Sequence, residues 1–125
     1  MNAKKRILIA DDDTAIAELL QQALAEEGYE TFKESQSLRF LDAVREHHPD
    51  LILLDLMMPY LDGFDELELL RLSSDTGRIP VIIVTAKTDA KQEEAKFKKL
   101  GVVTIVTKPF DLNALVQLVK RTLGP

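Results

Sequence analysis

Residues 51–55 read Leu-Ile-Leu-Leu-Asp, so four large apolar side chains run without interruption into a carboxylate. A short unbroken apolar run is typical of a parallel strand that is buried on both faces. Ile7–Ala10 and Val81–Val84 share this character, and so does Val102–Val106 apart from the Thr104 inside it. The segment Tyr29–Glu34 is thinner in apolar residues, as expected for a strand at a sheet edge. Together these segments predict five strands.

Helical patterns separate the predicted strands. The apolar stripe of the first helix runs over Ile16–Leu24, and Gly28 follows where that helix should end. The last helix, Leu112–Leu123, has the clearest stripe, and Asp111 precedes it as a candidate N-cap. Weaker helical patterns lie at Leu38–Val44, Leu67–Leu70 and Asp89–Leu100.

The predicted elements alternate as strand and helix five times. This alternation favours an α/β fold, in which a five-stranded parallel sheet carries helices on both faces. Right-handed crossovers leave few possible topologies. We expect the doubly wound, flavodoxin-like (βα)5 order 2-1-3-4-5, whose switch point lies between the first and third strands.

Composition excludes several classes of protein. The length of 125 residues is typical of one domain, and the absence of cysteine excludes disulfides, thiolate metal sites and cysteine nucleophiles. The net charge of −5 argues against a nucleic-acid surface. The apolar runs are too short for a signal peptide or a membrane span. We therefore expect a soluble, cytoplasmic domain.

Polar residues stand at the carboxyl ends of the predicted strands, where sheets of this order bind ligands. They are Asp11 and Asp12 after the first strand, Asp55 after the third, Thr85 at the end of the fourth and Lys108 after the fifth. Two carboxylates about 4 Å apart repel by roughly 4 kcal/mol at an effective dielectric near 20, and Mg²⁺ relieves such repulsion. An ammonium and a hydroxyl beside the carboxylates indicate a site for a phosphoryl group.

Five motifs follow one another along the chain. They are Ile-Leu-Ile-Ala-Asp-Asp-Asp at 7–13, Pro-Asp-Leu-Ile-Leu-Leu-Asp-Leu-Met-Met-Pro at 49–59, Leu-Asp-Gly at 61–63, Val-Ile-Ile-Val-Thr-Ala at 81–86 and Lys-Pro-Phe at 108–110. In this order and spacing they resemble the receiver domain of two-component response regulators. Each motif alone is weak, but the resemblance covers essentially the whole chain.

The resemblance implies a magnesium site. Asp12 would bind Mg²⁺ directly, and Asp11 would bind it mainly through water. The carboxylate of Asp55 and the backbone carbonyl of Met57 would complete the protein ligands. The expected cofactor is therefore Mg²⁺ held entirely by oxygen atoms.

The resemblance also implies three catalytic residues. Asp55 would be the phosphoacceptor, a carboxylate nucleophile that takes the phosphoryl group. Thr85 would turn its hydroxyl toward that group, and Lys108 would pair with it. The bond between Lys108 and Pro109 is typically cis in the family, which would aim the lysine inward.

The chain departs from the family pattern at two positions. Ile105 stands three residues before Lys108, where receivers usually carry Tyr or Phe, so the route of the signal to the last elements is left open. Tyr60 stands where an acidic or other polar residue often follows the proline. Met57 and Lys87 occupy variable positions that we expect to tune the lifetime of the acyl phosphate.

The implied function is a signalling switch rather than an enzyme acting on a separate substrate. A histidine kinase or histidine phosphotransfer protein would supply the phosphoryl group from a phosphohistidine, and the receiver would catalyse its own phosphorylation and dephosphorylation. We expect residues 1–125 to be a single receiver domain, with no output domain. Its partners would be a phosphodonor and a downstream protein target, without nucleic acid or membrane. It would be a monomer or a phosphorylation-dependent dimer.

Three alternative functions stay open. A phosphohydrolase of the haloacid-dehalogenase type matches Asp11 and Asp13 but not Ala15, and the chain has no room for a substrate cap. A flavodoxin-like FMN carrier needs a phosphate-binding loop after the first strand, where three aspartates would repel the phosphate. A degenerate receiver that acts as a binding scaffold fits Ile105 but leaves the complete set of site residues unexplained.

Other polar residues have simpler interpretations. His47 and His48 are adjacent and point apart on a helix, so we expect solvent-facing side chains near a helix end rather than a metal pair. Either Asp13 or Thr14 should cap the first helix. The lysines at 91, 96, 98 and 99 predict a solvated helix face, part of which could contact an acidic partner.

Overall fold

The computed structural model describes residues 3–125, in which strands and helices alternate as predicted. The elements are β1 (Arg6–Ala10), α1 (Thr14–Glu26), β2 (Glu30–Glu34), α2 (Phe40–His47), β3 (Leu51–Leu54), α3 (Gly63–Leu72), β4 (Val81–Thr85), α4 (Glu94–Lys99), β5 (Val102–Thr107) and α5 (Leu112–Leu123). Within these residues, each helix is too short or too polar to cross a membrane.

The five strands form one parallel sheet in the order β2-β1-β3-β4-β5, which confirms the predicted topology. β1 and β3 are neighbours, with Ala10 opposite Leu54. The backbone N–H of Asp55 donates to the carbonyl of Ala10 over 2.9 Å, so the pairing continues past the last residue of each strand. The acidic residues that follow β1 and β3 therefore lie at the same edge of the sheet.

Apolar burial explains both layers of helices. The central strands β3 and β4 are buried along their whole length, whereas the edge strand β2 is only partly covered. One core lies between the sheet and α2, α3 and α4, and a second lies between the sheet and α1 and α5. Because both faces are covered, the carboxyl edge of the sheet is left as the open end of the fold.

Side-chain caps begin two helices as the sequence predicts. Asp13 accepts a hydrogen bond from the N–H of Ile16, and Asp111 accepts one from the N–H of Ala114. The helical pattern at Asp89–Leu100 instead divides into a short 3-10 turn and the six-residue helix α4. Few apolar residues hold this segment to the core, so it does not form one long helix.

The histidine pair differs in part from the prediction of two solvent-facing side chains. His48 is exposed and ends α2 in the left-handed region, with φ of 48°. His47 is half-buried, because its ring stacks on Phe32 with the ring centroids 4.1 Å apart. The partly covered edge strand offers Phe32 as a surface on which the last turn of α2 packs.

Candidate functional site

Asp55 is the centre of the hydrogen-bond network at the carboxyl edge of the sheet, and only 5% of its surface is exposed. Its Oδ1 accepts hydrogen bonds from the hydroxyl of Thr85 and from the N–H of Met57, each over 2.9 Å. Its Oδ2 accepts a hydrogen bond from Lys108 Nζ over 3.0 Å. Both oxygens of this buried carboxylate therefore have donors, as buried polar groups require.

Three carboxylates converge at this edge. Asp11, Asp12 and Asp55 each place one oxygen within 4.8 Å of the other two. Asp11 is buried, and its Oδ1 accepts a hydrogen bond from the N–H of Asp13 over 2.9 Å. Asp12 is exposed, so the cluster opens to solvent on that side. A set of oxygen ligands with access to water suits Mg²⁺, which keeps several waters when it binds proteins.

Lys108 joins the two buried carboxylates. Its Nζ lies 2.7 Å from Asp11 Oδ2 and 3.0 Å from Asp55 Oδ2. The peptide bond between Lys108 and Pro109 is cis, as the family resemblance implies. One ammonium beside the carboxylates of Asp11, Asp12 and Asp55 leaves the crevice negatively charged, and this remaining charge favours a bound cation.

The protonation of this pair follows from burial and contact. Burial raises the pKa of Asp11, and the charge of Asp55 adds to this effect, whereas the hydrogen bonds from Lys108 and from the N–H of Asp13 oppose it. Burial alone would lower the pKa of Lys108, but the hydrogen bonds and charges of Asp11 and Asp55 outweigh it and raise that pKa. Lys108 therefore remains an ammonium at neutral pH.

Thr85 connects Asp55 to the loop after β4. Its side chain is fully buried, and its hydroxyl oxygen accepts a hydrogen bond from the N–H of Lys87 over 3.2 Å while the hydroxyl donates to Asp55. A rotation of Thr85 would therefore remove the acceptor of Lys87. The side chains of Met57 and Lys87 are both exposed.

Two features of the site region could not be read from sequence patterns. Ser37 is buried, and its hydroxyl donates a hydrogen bond to the carbonyl of Pro59, which ties the turn before α2 to the loop after β3. No local pattern marks this serine. Ile105 is buried in the core that α2, α3 and α4 share, so the position three residues before Lys108 holds an aliphatic side chain packed inside the fold.

Known proteins share the sequence pattern and the fold of this chain. The profile of the family described as "Response regulator receiver domain" matches residues 7–120. The chain belongs to the receiver family. The matched range spans all five strands from Ile7 onward and includes the positions of Asp11, Asp55 and Lys108.

Individual relatives extend the comparison over nearly the whole receiver. It is 35% identical over 119 residues to "Sporulation initiation phosphotransferase F" of Bacillus subtilis, covering 95% of this chain and 94% of that protein. It is 39% identical over 120 residues to the "DNA-binding response regulator MtrA" of Mycobacterium tuberculosis, covering 96% of this chain but about half, 51%, of MtrA. The solved receiver domain of the Francisella response regulator 1452 superimposes with a TM-score of 0.83 at 32% identity, covering 96% of this chain and 97% of that one. The chain is thus a phosphoacceptor receiver of two-component signalling.

Proposed function

We propose that Asp55 accepts the phosphoryl group, and that the donor is a phosphohistidine on a histidine kinase or a histidine phosphotransfer protein. The observation that supports this role is the set of donors on one buried carboxylate. Thr85 and Lys108 lie 2.9 Å and 3.0 Å from its oxygens, and two further carboxylates lie beside it. Hydroxyl and ammonium groups at these distances can stabilise the negative charge of the carboxylate and then that of an incoming phosphoryl group.

The transfer is a displacement at phosphorus. An oxygen of Asp55 forms the new O–P bond while the N–P bond of the phosphohistidine breaks, and the electron pair of that bond returns to the imidazole nitrogen. Dephosphorylation uses water as the nucleophile, which releases inorganic phosphate and restores the carboxylate. We propose that the receiver catalyses both steps, with Lys108 and Thr85 stabilising the phosphoryl oxygens.

The residues that would hold Mg²⁺ are Asp11, Asp12, Asp55 and the backbone carbonyl of Met57. One carboxylate oxygen of each of the three aspartates lies within 4.8 Å of the other two, and this all-oxygen set fits a hard cation. When bound, the ion supplies positive charge that offsets the carboxylates and the phosphoryl oxygens. Lys108, whose Nζ contacts Asp11 and Asp55, adds a further positive charge to the crevice.

We propose that residues 1–125 act in the cytoplasm as a single receiver domain, and that phosphorylation changes contacts with a downstream protein target. One relative has nearly the length of this chain and another is about twice as long, so both a receiver by itself and a receiver joined to a further domain occur among similar proteins. The domain would work as a monomer or as a phosphorylation-dependent dimer.

The test is the intact mass of the protein after incubation with Mg²⁺ and acetyl phosphate. Wild type should gain one phosphoryl group, Asp55→Asn should gain none, and Asp89→Asn, which changes an exposed aspartate after β4, should react like wild type. A thermal melt with beryllofluoride, a phosphoryl analogue, covers the case of a short-lived adduct. Labelling of Asp55→Asn would contradict the assignment. Wild type without adduct and without a beryllofluoride shift would instead favour a scaffold that lacks phosphorylation.

A further inference from the structure

A pocket of about 270 Å³ opens beside the acidic crevice. It lies between the turn before α2 and the loop after β3, and Asp12 belongs both to this pocket and to the carboxylate cluster. Leu38 and Tyr60 line it, although 80% and 89% of their surfaces are exposed. Large apolar side chains left in water around a pocket are typical of a protein contact. We name this pocket the Leu38–Tyr60 socket.

The socket is formed before any partner binds. The buried Ser37 donates its hydroxyl to the carbonyl of Pro59 and so joins the two sides of the pocket. Tyr60 has φ of 61°, a left-handed conformation that a tyrosine rarely adopts and that persists only where the surroundings hold it. The N–H of Leu61 donates to the carbonyl of Met58 over 3.2 Å and closes the same loop. A partner that enters a preformed pocket loses less free energy to ordering.

We propose that the Leu38–Tyr60 socket receives one apolar side chain of the phosphodonor protein, from the segment next to its phosphohistidine. The inference rests on the proposed function and names a contact of that same site. The position of the socket next to the crevice supports this proposal. A protein that brings a phosphohistidine to Asp55 must cover the open side of the crevice, where Asp12 is exposed. Asp12 also lines the socket, so the residues flanking the histidine pass over it.

Charge restricts the kind of segment that fits. Asp12 is exposed beside the buried Asp11 and Asp55, and these three carboxylates exceed the single ammonium of Lys108. An acidic segment would be repelled there, whereas a neutral or basic one is attracted. The pocket has room for one large apolar side chain, and the exposed Met57 adds apolar surface to this end of the molecule. The matching partner surface is therefore an apolar anchor among neutral or basic residues.

The test compares a protein donor with a small donor. The protein donor is an autophosphorylated histidine kinase core, chosen because it transfers to the wild-type chain, and the small donor is acetyl phosphate. In the double variant Leu38→Gln, Tyr60→Asn, we expect kcat/KM for the kinase to fall about tenfold or more, mainly through KM. The rate with acetyl phosphate should stay within about twofold, because this donor is too small to need the socket.

The variants are chosen to keep the fold. Asparagine adopts the left-handed region more readily than tyrosine, and Leu38 is mostly exposed, so neither change should weaken folding. Leu72→Gln is the matched control, since Leu72 is 81% exposed at the end of α3 and does not line the socket. This control should behave like wild type with both donors.

Each outcome has a distinct meaning. Unchanged transfer from the kinase to the double variant would overturn the socket and leave the phosphoacceptor role of Asp55 intact. An equal loss with both donors would also overturn it, because the change would then act on the crevice itself. If acetyl phosphate does not label the wild-type chain and no kinase core that transfers to it can be found, the proposed function fails, and with it the premise of the socket.

Discussion

The ammonium of Lys108 lies 2.7 Å from the carboxylate of Asp11, although 97 positions separate the two residues in the chain. The same ammonium lies 3.0 Å from Asp55, and both carboxylates are almost completely buried. Lys108, which follows β5, is thus the shared cationic partner of Asp11 after β1 and Asp55 after β3. The charge balance of the crevice therefore depends on three strands at once.

Replacing this cation should weaken the fold. We expect Lys108→Met to lower the free energy of unfolding by about 3 kcal/mol at pH 7 in EDTA, because two buried carboxylates lose their shared partner. Urea denaturation measures this change, and Mg²⁺ should restore more stability to the variant than it adds to wild type. Lys91→Met, which changes an exposed lysine, is the control and should have little effect. An unchanged midpoint for Lys108→Met would show that the carboxylates have other partners.

Replacing Asp12 should stabilise the protein in the absence of metal, in contrast to replacing Lys108. It is exposed and adds negative charge to a crevice that already has an excess, so Asp12→Ala should raise the free energy of unfolding by a few tenths of a kcal/mol in EDTA. The variant should also lose the increase in melting temperature that Mg²⁺ gives wild type. Asp89→Ala should keep that increase. A melt of Asp12→Ala that still shifts with Mg²⁺ would contradict the metal site.

Both the backbone conformation at position 101 and the neighbouring Arg71 favour glycine there. Its φ is 82°, and a Cβ at this position would lie 2.5 Å from Arg71 Nη2. Arg71 is held in place, because its Nε donates to the carbonyl of Leu100 over 2.6 Å. Gly28 is a matched comparison, since its φ is 95° and a Cβ there would meet no atom within 4 Å.

Replacing each glycine by alanine should distinguish the cost of backbone strain from the cost of a steric clash with Arg71. Gly28→Ala should lower the free energy of unfolding by about 1 kcal/mol through backbone strain alone. Gly101→Ala should lower it by about 1 to 2 kcal/mol more, because the guanidinium has to move. In an Arg71→Ala background the two glycine substitutions should become equal. If both glycine substitutions lower the free energy of unfolding equally in the wild-type background, the side chain of Arg71 moves aside without cost.

Glu66 gives the stability a dependence on pH. Burial raises its pKa above the ordinary value of 4.5, and the charges of Asp65 and Asp62 add to the shift. The folded state therefore favours the protonated carboxyl of Glu66. The stability that this protonated carboxyl contributes is full below about pH 4.5 and is lost as the pH rises through the folded pKa.

Removing this ionisation should stabilise the protein only at higher pH. Glu66→Gln should raise the free energy of unfolding by a few tenths of a kcal/mol at pH 7, a small value because the side chain is partly solvated, and should add nothing near pH 3.5. Chemical denaturation across this range measures the difference. Glu68→Gln, an exposed position in the same helix, should show no such dependence. A gain that is equal at both pH values would exclude ionisation as the cause.

Local sequence was sufficient to predict the strands and the polar residues at their carboxyl ends. The unbroken apolar run at 51–54 predicts a strand buried on both faces, because only such a strand has no polar side to expose. The strand-end residues Asp11, Asp55 and Thr85 follow from the same pattern, since the carboxyl ends of parallel strands share one edge. The structure confirms that these side chains converge.

Tertiary structure alone decided the contacts between distant segments. The bridge from Lys108 to Asp11, the hydrogen bond from Ser37 to Pro59 and the stacking of His47 on Phe32 each join residues that no local pattern relates. Helix and strand periodicities report which side of an element is apolar, but not which atoms of another element it meets. The sequence by itself therefore determined the sheet, its order and the residues at its edge, whereas packing in three dimensions decided how those residues share charge and which apolar side chains stay exposed beside them.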